Sequence, residues 1–437
     1  MDKNTFALTP PMGWNSYDYY NTSADEQDIR KNAEYMAQHL KKFGWEYVVI
    51  DIEWYSCHGH RMNDEYQYIP YEDMAMDEYS RLLPCEARFP SAAGGRGFKP
   101  LADYIHSLGL KFGIHIMRGI PRIAAHRHCG ILNTDVTANE IAEPNNICFW
   151  NPDMYGVNPK KPASQLYYDS IFALYAEWGV DFVKCDDICR LDMPTAKEEI
   201  RMLHRAIEHC GRDIVLSLSP GAAKIEEAWL YEQNSNMWRI TDDFWDDWKA
   251  LVHMFERCEV WQKHVTPGNY PDCDMLPVGK IGGWHFGERD TNFTRDEQIT
   301  MMTLWSIFRA PMMIGADLPQ LDEWTRKLLT NRDVLHVLNL PNQAMQLVRT
   351  DKEVIWLNTE DAADASGVGE TVVYIALFNL RDEESIVTLH AEEHPELTGL
   401  LDGKSSATEL WTGETVPVHE DVVSAVLPAH GAALLRI

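Results

Sequence analysis

The chain has 437 residues, and its 39 Lys and Arg against 67 Asp and Glu leave a formal charge of −28 at pH 7. A surface of that sign repels phosphate backbones and anionic lipid, which argues against a nucleic-acid or membrane partner. With 45% hydrophobic and 24% charged residues the composition is globular, and the length suits one large domain followed by a smaller one. Nine cysteines stand singly, at 57, 85, 129, 148, 185, 189, 210, 258 and 273, without the rhythm of a disulfide framework. The first residues lack a basic region followed by an apolar run, and no uncharged apolar stretch approaches the roughly 18 residues of a membrane span. The expectation is a soluble, cytoplasmic protein.

From residue 1 to about 340, short β-branched or aromatic runs alternate with stretches of helical period, the pattern of repeated βα units. Strands are predicted at Pro11–Ser16, Tyr47–Trp54, Lys111–Met117, Asp181–Asp186, Ile214–Ser219, Met237–Thr241, near Asp274 and at Pro311–Gly315. Eight such strands predict a (β/α)8 TIM barrel. Ser23-Ala-Asp-Glu26 reads as a capping box opening a helix over Asp25–Phe43, and Thr294-Arg-Asp-Glu297 as another before Gln298–Phe308. Gly44 and Gly109 stand where C-terminal caps belong. The connections Tyr55–Lys99 and Gly119–Pro162 far exceed the usual ~2–6 residues of a βα loop, and in a barrel such loops build the rim of the active site.

Over residues 341–437 helical period gives way to alternating segments: Val354–Leu357, Thr371–Asn379, Ser385–His390, Thr408–Trp411, Val422–Leu427 and Ala432–Ile437. Acidic and Gly-containing turns separate them, so this part is predicted to be an antiparallel β-sandwich domain.

Barrel enzymes place reactive groups at the C-terminal ends of strands. Asp51, Glu53, His115, Lys184, Asp186, Asp242, Asp243 and Asp274 all fall at such ends. In Asp181-Phe-Val-Lys184-Cys-Asp186 the pleat sends Lys184 and Asp186 to the same face, where the Lys favours an ionised carboxylate. The plainer reading of that pair is a structural salt bridge. Arg239, four residues before Asp243, makes a second charged pair. Two carboxylates opposed across a barrel mouth, one held anionic and one free to carry a proton, suit a retaining glycosidase, which needs them about 5–5.5 Å apart. No glycine loop that would cradle a phosphate is visible.

Met12-Gly-Trp-Asn-Ser16, Val49-Ile-Asp51, Lys111-Phe-Gly-Ile114, Lys184-Cys-Asp186, Trp238-Arg239 with Asp243, Pro271-Asp-Cys-Asp274-Met275 and Leu304-Trp-Ser-Ile-Phe-Arg-Ala-Pro311 resemble, in that order, the motifs of glycoside hydrolase family 27, the melibiase type. The resemblance covers the barrel and extends to the C-terminal domain. It implies a retaining exo-glycosidase releasing terminal α-D-galactose, with Asp186 as nucleophile and Asp243 as general acid/base. It also implies Lys184 and Asp51 as ligands of sugar hydroxyls, Arg239 and Asp274 in the same pocket, and no cofactor.

This chain departs from the family pattern at several places. Two consecutive Asp are common before the Trp of the second strand, whereas here the order is Asp51-Ile52-Glu53-Trp54, so one hydroxyl-binding carboxylate is missing or displaced. Tyr17 stands where a pocket Trp is frequent and His115 where a Tyr is frequent, so the sugar site is rebuilt around them, with Glu53 and Trp54 as further candidate contacts. Ser219 and Ala222 resemble the small residues of the N-acetylgalactosaminidase branch. β-L-Arabinopyranosides, which lack only the hydroxymethyl arm of α-galactosides, and α-N-acetylgalactosaminides are therefore the alternative substrates. A barrel that binds carbohydrate without turnover is the alternative from another class.

Cys57-His-Gly-His60 and His126-Arg-His-Cys129 put four His and two Cys on two rim loops, a composition compatible with zinc, although the spacing matches no standard site and solvated loop residues are the simpler expectation. Arg118 and Arg122 follow the third strand and are expected to pair with carboxylates such as Asp153 or Glu53. Trp54, Tyr55, Trp150, Tyr155, Trp245 and Trp284 are candidates for stacking on sugar faces, at least half of them as core or loop anchors. The expected partner is an oligosaccharide or glycoside; the outer helices and the sandwich leave room for a homo-oligomer.

Overall fold

The β-branched runs fold into eight short parallel strands: β1 (Met12–Asn15), β2 (Tyr47–Ile50), β3 (Lys111–Met117), β4 (Phe182–Asp186), β5 (Val215–Leu218), β6 (Met237–Arg239), β7 (Tyr270–Asp272) and β8 (Met312–Ile314). This is a computed structural model that describes residues 2–57, 73–282, 287–363, 369–419 and 421–437. Each strand pairs with its neighbour in sequence, and β1 also pairs with β8. Past the end of β7 the chain bridges to β8 in parallel at Leu276 and Ile314, with Leu276 N–H donating to the Met313 carbonyl at 2.7 Å, which closes the barrel.

The second strand stops at Ile50, four residues short of the predicted end. There the Asp51 N–H donates to Ser16 Oγ and the Ile52 N–H to Asp51 Oδ1, so local side-chain bonds replace the ladder and Glu53 turns into the left-handed region at φ 66°.

Helices α1 (Glu26–Tyr35), α2 (Lys99–Ser107), α3 (Pro162–Trp178), α4 (Ala196–Cys210), α5 (Ala228–Asn234), α6 (Trp248–Trp261), α7 (Arg295–Phe308) and α8 (Arg332–Leu338) connect and follow the strands. The cap of α1 is Asp25, whose carboxylate accepts from the Gln27 and Asp28 N–H groups, while Asp28 returns the bond; Ser23 instead donates to the Tyr20 carbonyl. The predicted span to Phe43 is completed by a π turn at Met36–Leu40 and a 3-10 turn at Lys41–Phe43, ended by Gly44 at φ 102°. The Thr294/Glu297 box of α7 forms as read. The long connection after β3 is not all loop: Ile120–Pro121, Met154–Val157 and Ala142–Ile147 make a small three-stranded sheet on the rim.

The C-terminal part is one eight-stranded antiparallel sheet, β9 (Met345–Arg349), β10 (Glu353–Ala363), β11 (Gly369–Asn379), β12 (Ser385–His390), β13 (Ser406–Glu409), β14 (Thr415–His419), β15 (Val422–Leu427) and β16 (Ala432–Arg436), in the order β9-β10-β11-β16-β13-β14-β15-β12. The sequence reading lacked β9 and β14, whose residues are mostly half-buried or exposed and give little apolar alternation. The sheet curls around its own core of Ile355, Ile375, Leu377, Leu389, Val423 and Leu435. The alternate residues Val354, Trp356, Tyr374, Ala376, Phe378 and Leu434 pack into the core of the barrel. Among the described residues, no helix is long and apolar enough to cross a membrane.

Candidate active site

The C-terminal ends of the barrel strands open into a cavity of about 320 Å³. Asp51, Lys184, Asp186, Arg239, Asp243 and Asp274 line it together, from four different strand ends. The alternation of β4 explains two of them, since Phe182, Lys184 and Asp186 share the inward face.

Lys184 Nζ donates to Asp51 Oδ2 at 2.8 Å, and Asn15 Nδ2 donates to the same oxygen at 2.7 Å. The structural pair is thus Lys184 with Asp51, not Lys184 with Asp186. Burial opposes ionisation of Asp51, but the Lys184 and His115 charges and the bonds from Lys184 and Ile52 outweigh it and hold the carboxyl far below the usual range. Burial likewise works against the Lys184 ammonium, and Asp51 and then Asp186 overcome it, so its pKa is raised.

Asp186 Oδ2 lies 3.0 Å from His115 Nε2, and its Oδ1 accepts from the Asp187 N–H at 2.8 Å. Burial pushes this carboxyl up; the His115 hydrogen bond and charge, Lys184 and the Asp187 amide push harder in the other direction, leaving the pKa below the ordinary value.

Across the mouth, Arg239 Nη2 pairs with Asp274 Oδ2 at 2.7 Å and with Asp243 Oδ1 at 3.1 Å. Burial, with help from Asp243 and Asp272, lifts the Asp274 carboxyl to about 7 although Arg239 opposes the shift. The two carboxylates read as catalytic differ in their access to water: the Asp186 side chain is 13% exposed and that of Asp243 is 66% exposed. One is a shielded anion with fixed partners, the other a carboxylate at the water-facing lip.

Family profiles described as alpha galactosidase A and as the alpha galactosidase C-terminal beta sandwich domain match residues 156–340 and 365–437. Alpha-galactosidase 2 of Arabidopsis thaliana is 26% identical over 99% of this chain and 90% of its own length. The family 27 β-L-arabinopyranosidase of Geobacillus stearothermophilus, solved with arabinose, is 49% identical, covering 100% of this chain and 98% of that one, with a TM-score of 0.90. A candidate α-N-acetylgalactosaminidase from Bacillus halodurans is 46% identical, covering 98% and 97% of the two chains, with a TM-score of 0.83. The chain belongs to glycoside hydrolase family 27.

As a glycoside hydrolase of that family, it brings nine of the eleven residues singled out from sequence to the cavity or directly beneath it or against its carboxylates. Tyr17 joins the six ionisable residues named above on the wall. His115 lies behind Asp186 rather than on the wall, fully buried. Ser219 sits one layer lower, with Lys184 and Arg239 around a void of about 20 Å³ beneath the main cavity. Glu53 and Trp54 do not line it, because the chain has left the strand: the Glu53 carbonyl accepts from Arg88 at 2.6 Å, and Trp54 is fully buried, donating to the His115 carbonyl and packing edge-on against Phe98 and Trp178. Trp54 is a core residue and not a sugar contact.

Of the other aromatics, Trp150 and Trp245 reach the cavity, Tyr55 is buried core, and Tyr155 packs under Arg122. Arg118 pairs with Asp187 and Glu199. His58, His60 and Trp284 lie outside the described residues, and among the described residues no three His, Cys, Asp or Glu converge as a metal site. The sequence reading missed Asp18, Phe149, Arg190, Phe244 and Met275 on the wall. Asp18 follows β1 by three residues, and its position past a strand end was the available signal.

Proposed function

We propose that this family 27 hydrolase is a retaining exo-β-L-arabinopyranosidase that takes the stereochemically equivalent α-D-galactosides as poorer substrates. The observation that carries the reading is Ile52: it lines the cavity beside Asp51, an apolar side chain where a second carboxylate would serve a substrate hydroxyl. A hydroxymethyl group brought there finds no hydrogen-bond partner and is left with an unpaired, desolvated hydroxyl, while an arabinopyranoside has no such arm. The similarity to the Geobacillus enzyme points the same way. Ser219 and Ala222, on which the acetamido alternative rests, do not line the cavity.

In this reading Asp186 attacks C1 of the glycone as Asp243 gives its proton to the glycosidic oxygen; the C1–O bond breaks and a glycosyl ester forms on Asp186. Asp243, now a carboxylate, takes a proton from water, whose oxygen attacks C1 and frees Asp186. His115, Lys184 and the Asp187 amide keep the nucleophile anionic between turnovers, and the exposed position of Asp243 lets it exchange a proton with solvent. Asp51, Lys184, Arg239 and Asp274 supply acceptors and donors for the ring hydroxyls.

The test is a panel of 4-nitrophenyl β-L-arabinopyranoside, α-D-galactopyranoside, α-N-acetylgalactosaminide and α-glucoside, with proton NMR of the first sugar released. The expected result is highest kcat/KM on the arabinopyranoside and first release of the β anomer. In Ile52→Asp the galactoside-to-arabinopyranoside ratio of kcat/KM should rise on the order of tenfold or more. Inverted product, or preference for the galactoside in the unaltered chain, overturns the corresponding half of the reading.

A further inference from the structure

Asp18 follows β1 in the short helical turn Tyr17–Tyr20 and lines the main cavity. It is only 6% exposed, and its Oδ2, shut off from solvent, has no hydrogen-bond partner among the described residues. The nearby guanidinium of Arg289 is engaged elsewhere, on both oxygens of Asp246 at 2.5 and 2.8 Å. The backbone makes room for the carboxyl: a Cβ on Gly315, just past β8, would stand 2.1 Å from Asp18 Oδ2, so glycine there is what lets this side chain lie where it does. A buried carboxyl left short of hydrogen bonds costs stability, and on the wall of an active site a ligand bound to its other oxygen can offset that cost.

Its place on the barrel tells which part of a ligand it meets. Asp186 ends β4 and Asp243 follows β6, whereas β1 lies across the barrel between β8 and β2. In a pyranose, C4 is opposite C1. A glycone whose C1 stands between Asp186 and Asp243 therefore turns its C4 edge toward the wall that carries Asp18, Asp51 and Ile52.

We propose that Asp18 is a specificity-determining residue of this site, its carboxyl hydrogen-bonding the 4-hydroxyl of the glycone through the oxygen that is not turned to Gly315, and so supplying from β1 the second sugar-binding carboxyl that the Asp51-Ile52 sequence lacks after β2. Burial first, and then Asp274, Asp51 and Asp243 against the opposing charge of Lys184, push this carboxyl well above the ordinary range, which suits a protonated group that donates to the sugar oxygen. The inference deepens the glycosidase reading but does not depend on which sugar is preferred, because β-L-arabinopyranosides and α-D-galactosides present the same 4-hydroxyl.

The experiment is a cycle between residue and substrate. kcat/KM is measured for the full-length protein and for Asp18→Ala and Asp18→Asn, on both 4-nitrophenyl glycosides and on their 4-deoxy counterparts, with thermal melting to show each variant folded. Asp18→Ala should lose on the order of 10- to 100-fold on the parent glycosides and stay within about twofold of the unaltered protein on the 4-deoxy compounds, with Asp18→Asn between the two. Equal losses on parent and 4-deoxy substrates, or no loss on the parents, overturn the proposal. If the 4-deoxy glycosides turn over too slowly, the same cycle is read from dissociation constants of the parent and 4-deoxy methyl glycosides in an Asp186→Ala background. That second arm also separates the two claims: absent turnover of every glycoside would remove the proposed activity, while the binding cycle still decides the role of Asp18.

Discussion

The mouth of the barrel and the C-terminal sheet are built from strands with the same alternation of faces, and they use it for opposite ends. In β4 one face presents Lys184 and Asp186 to the cavity and the other buries Val183 and Cys185 completely. In β10 and β11 both faces are apolar: Ile355, Leu357, Val373 and Ile375 fill the sheet's own core, while Val354, Trp356, Tyr374 and Ala376 fill the barrel's. The barrel end keeps charges in a poorly solvated place and holds them with ion pairs and hydrogen bonds, which add little to stability and create reactivity. The second sheet gives most of its inward positions to apolar contact, with Asn358, Asn379 and Glu409 as buried polar exceptions, and clamps the barrel from one side. Its His430 extends the clamp, stacking on Trp248 and bonding Glu297 of α7 at 2.8 Å.

If that division holds, substitutions at the mouth change rate and not melting, and substitutions in the sheet do the reverse. The largest effect is expected for Asp186→Asn: kcat falls by on the order of 10⁴-fold or more, the melting temperature is kept, and azide restores part of the rate with an activated glycoside. Asp243→Asn comes next, with a loss of about 10²- to 10⁴-fold that shrinks as the leaving group improves, since a good leaving group needs no proton.

On the other side of the comparison, Trp356→Ala removes a fully buried ring that packs edge-on against Phe308 and is expected to cost about 3–5 kcal/mol of stability, with kcat/KM unchanged well below the melting point. A fall in activity without a change in melting would erase the distinction between the regions.

The smallest effect sharpens the description of the mouth. His115 supplies the leading forces that lower the Asp186 pKa, while burial raises it. In His115→Phe the lowering is lost and burial remains, so the acid limb of the kcat/KM profile, set by protonation of the nucleophile, moves to higher pH. A limb that stays in place shows that Lys184 and the Asp187 amide suffice.

The repeated βα pattern made all eight barrel strands legible, because a parallel strand buried on both faces is written as a short apolar run that needs no partner to be recognised. The catalytic candidates were legible for a related reason: Lys184 and Asp186 stand where such a run ends in charge, which a core alone does not explain. The short strands β9 and β14 were not: each pairs with strands adjacent in sequence, but their own residues are mostly half-buried or exposed and carry little pattern.

The side chains just past β2 mark the boundary of what sequence determines. Asp51, Glu53 and Trp54 all read as pocket residues on one extended strand, yet Ser16 ends that strand at Ile50, leaving Asp51 in the cavity while Glu53 faces away and Trp54 joins the core. Asp18 went unread for the converse reason, because its meaning depends on the absence of a Cβ at Gly315, nearly three hundred residues away. The order of elements, the two sheets and the chemistry available at the strand ends follow from local period and residue type alone. Tertiary structure alone decided which charge pairs with which, and which acid is left without a partner, because those depend on distances across the closed barrel that no local pattern encodes.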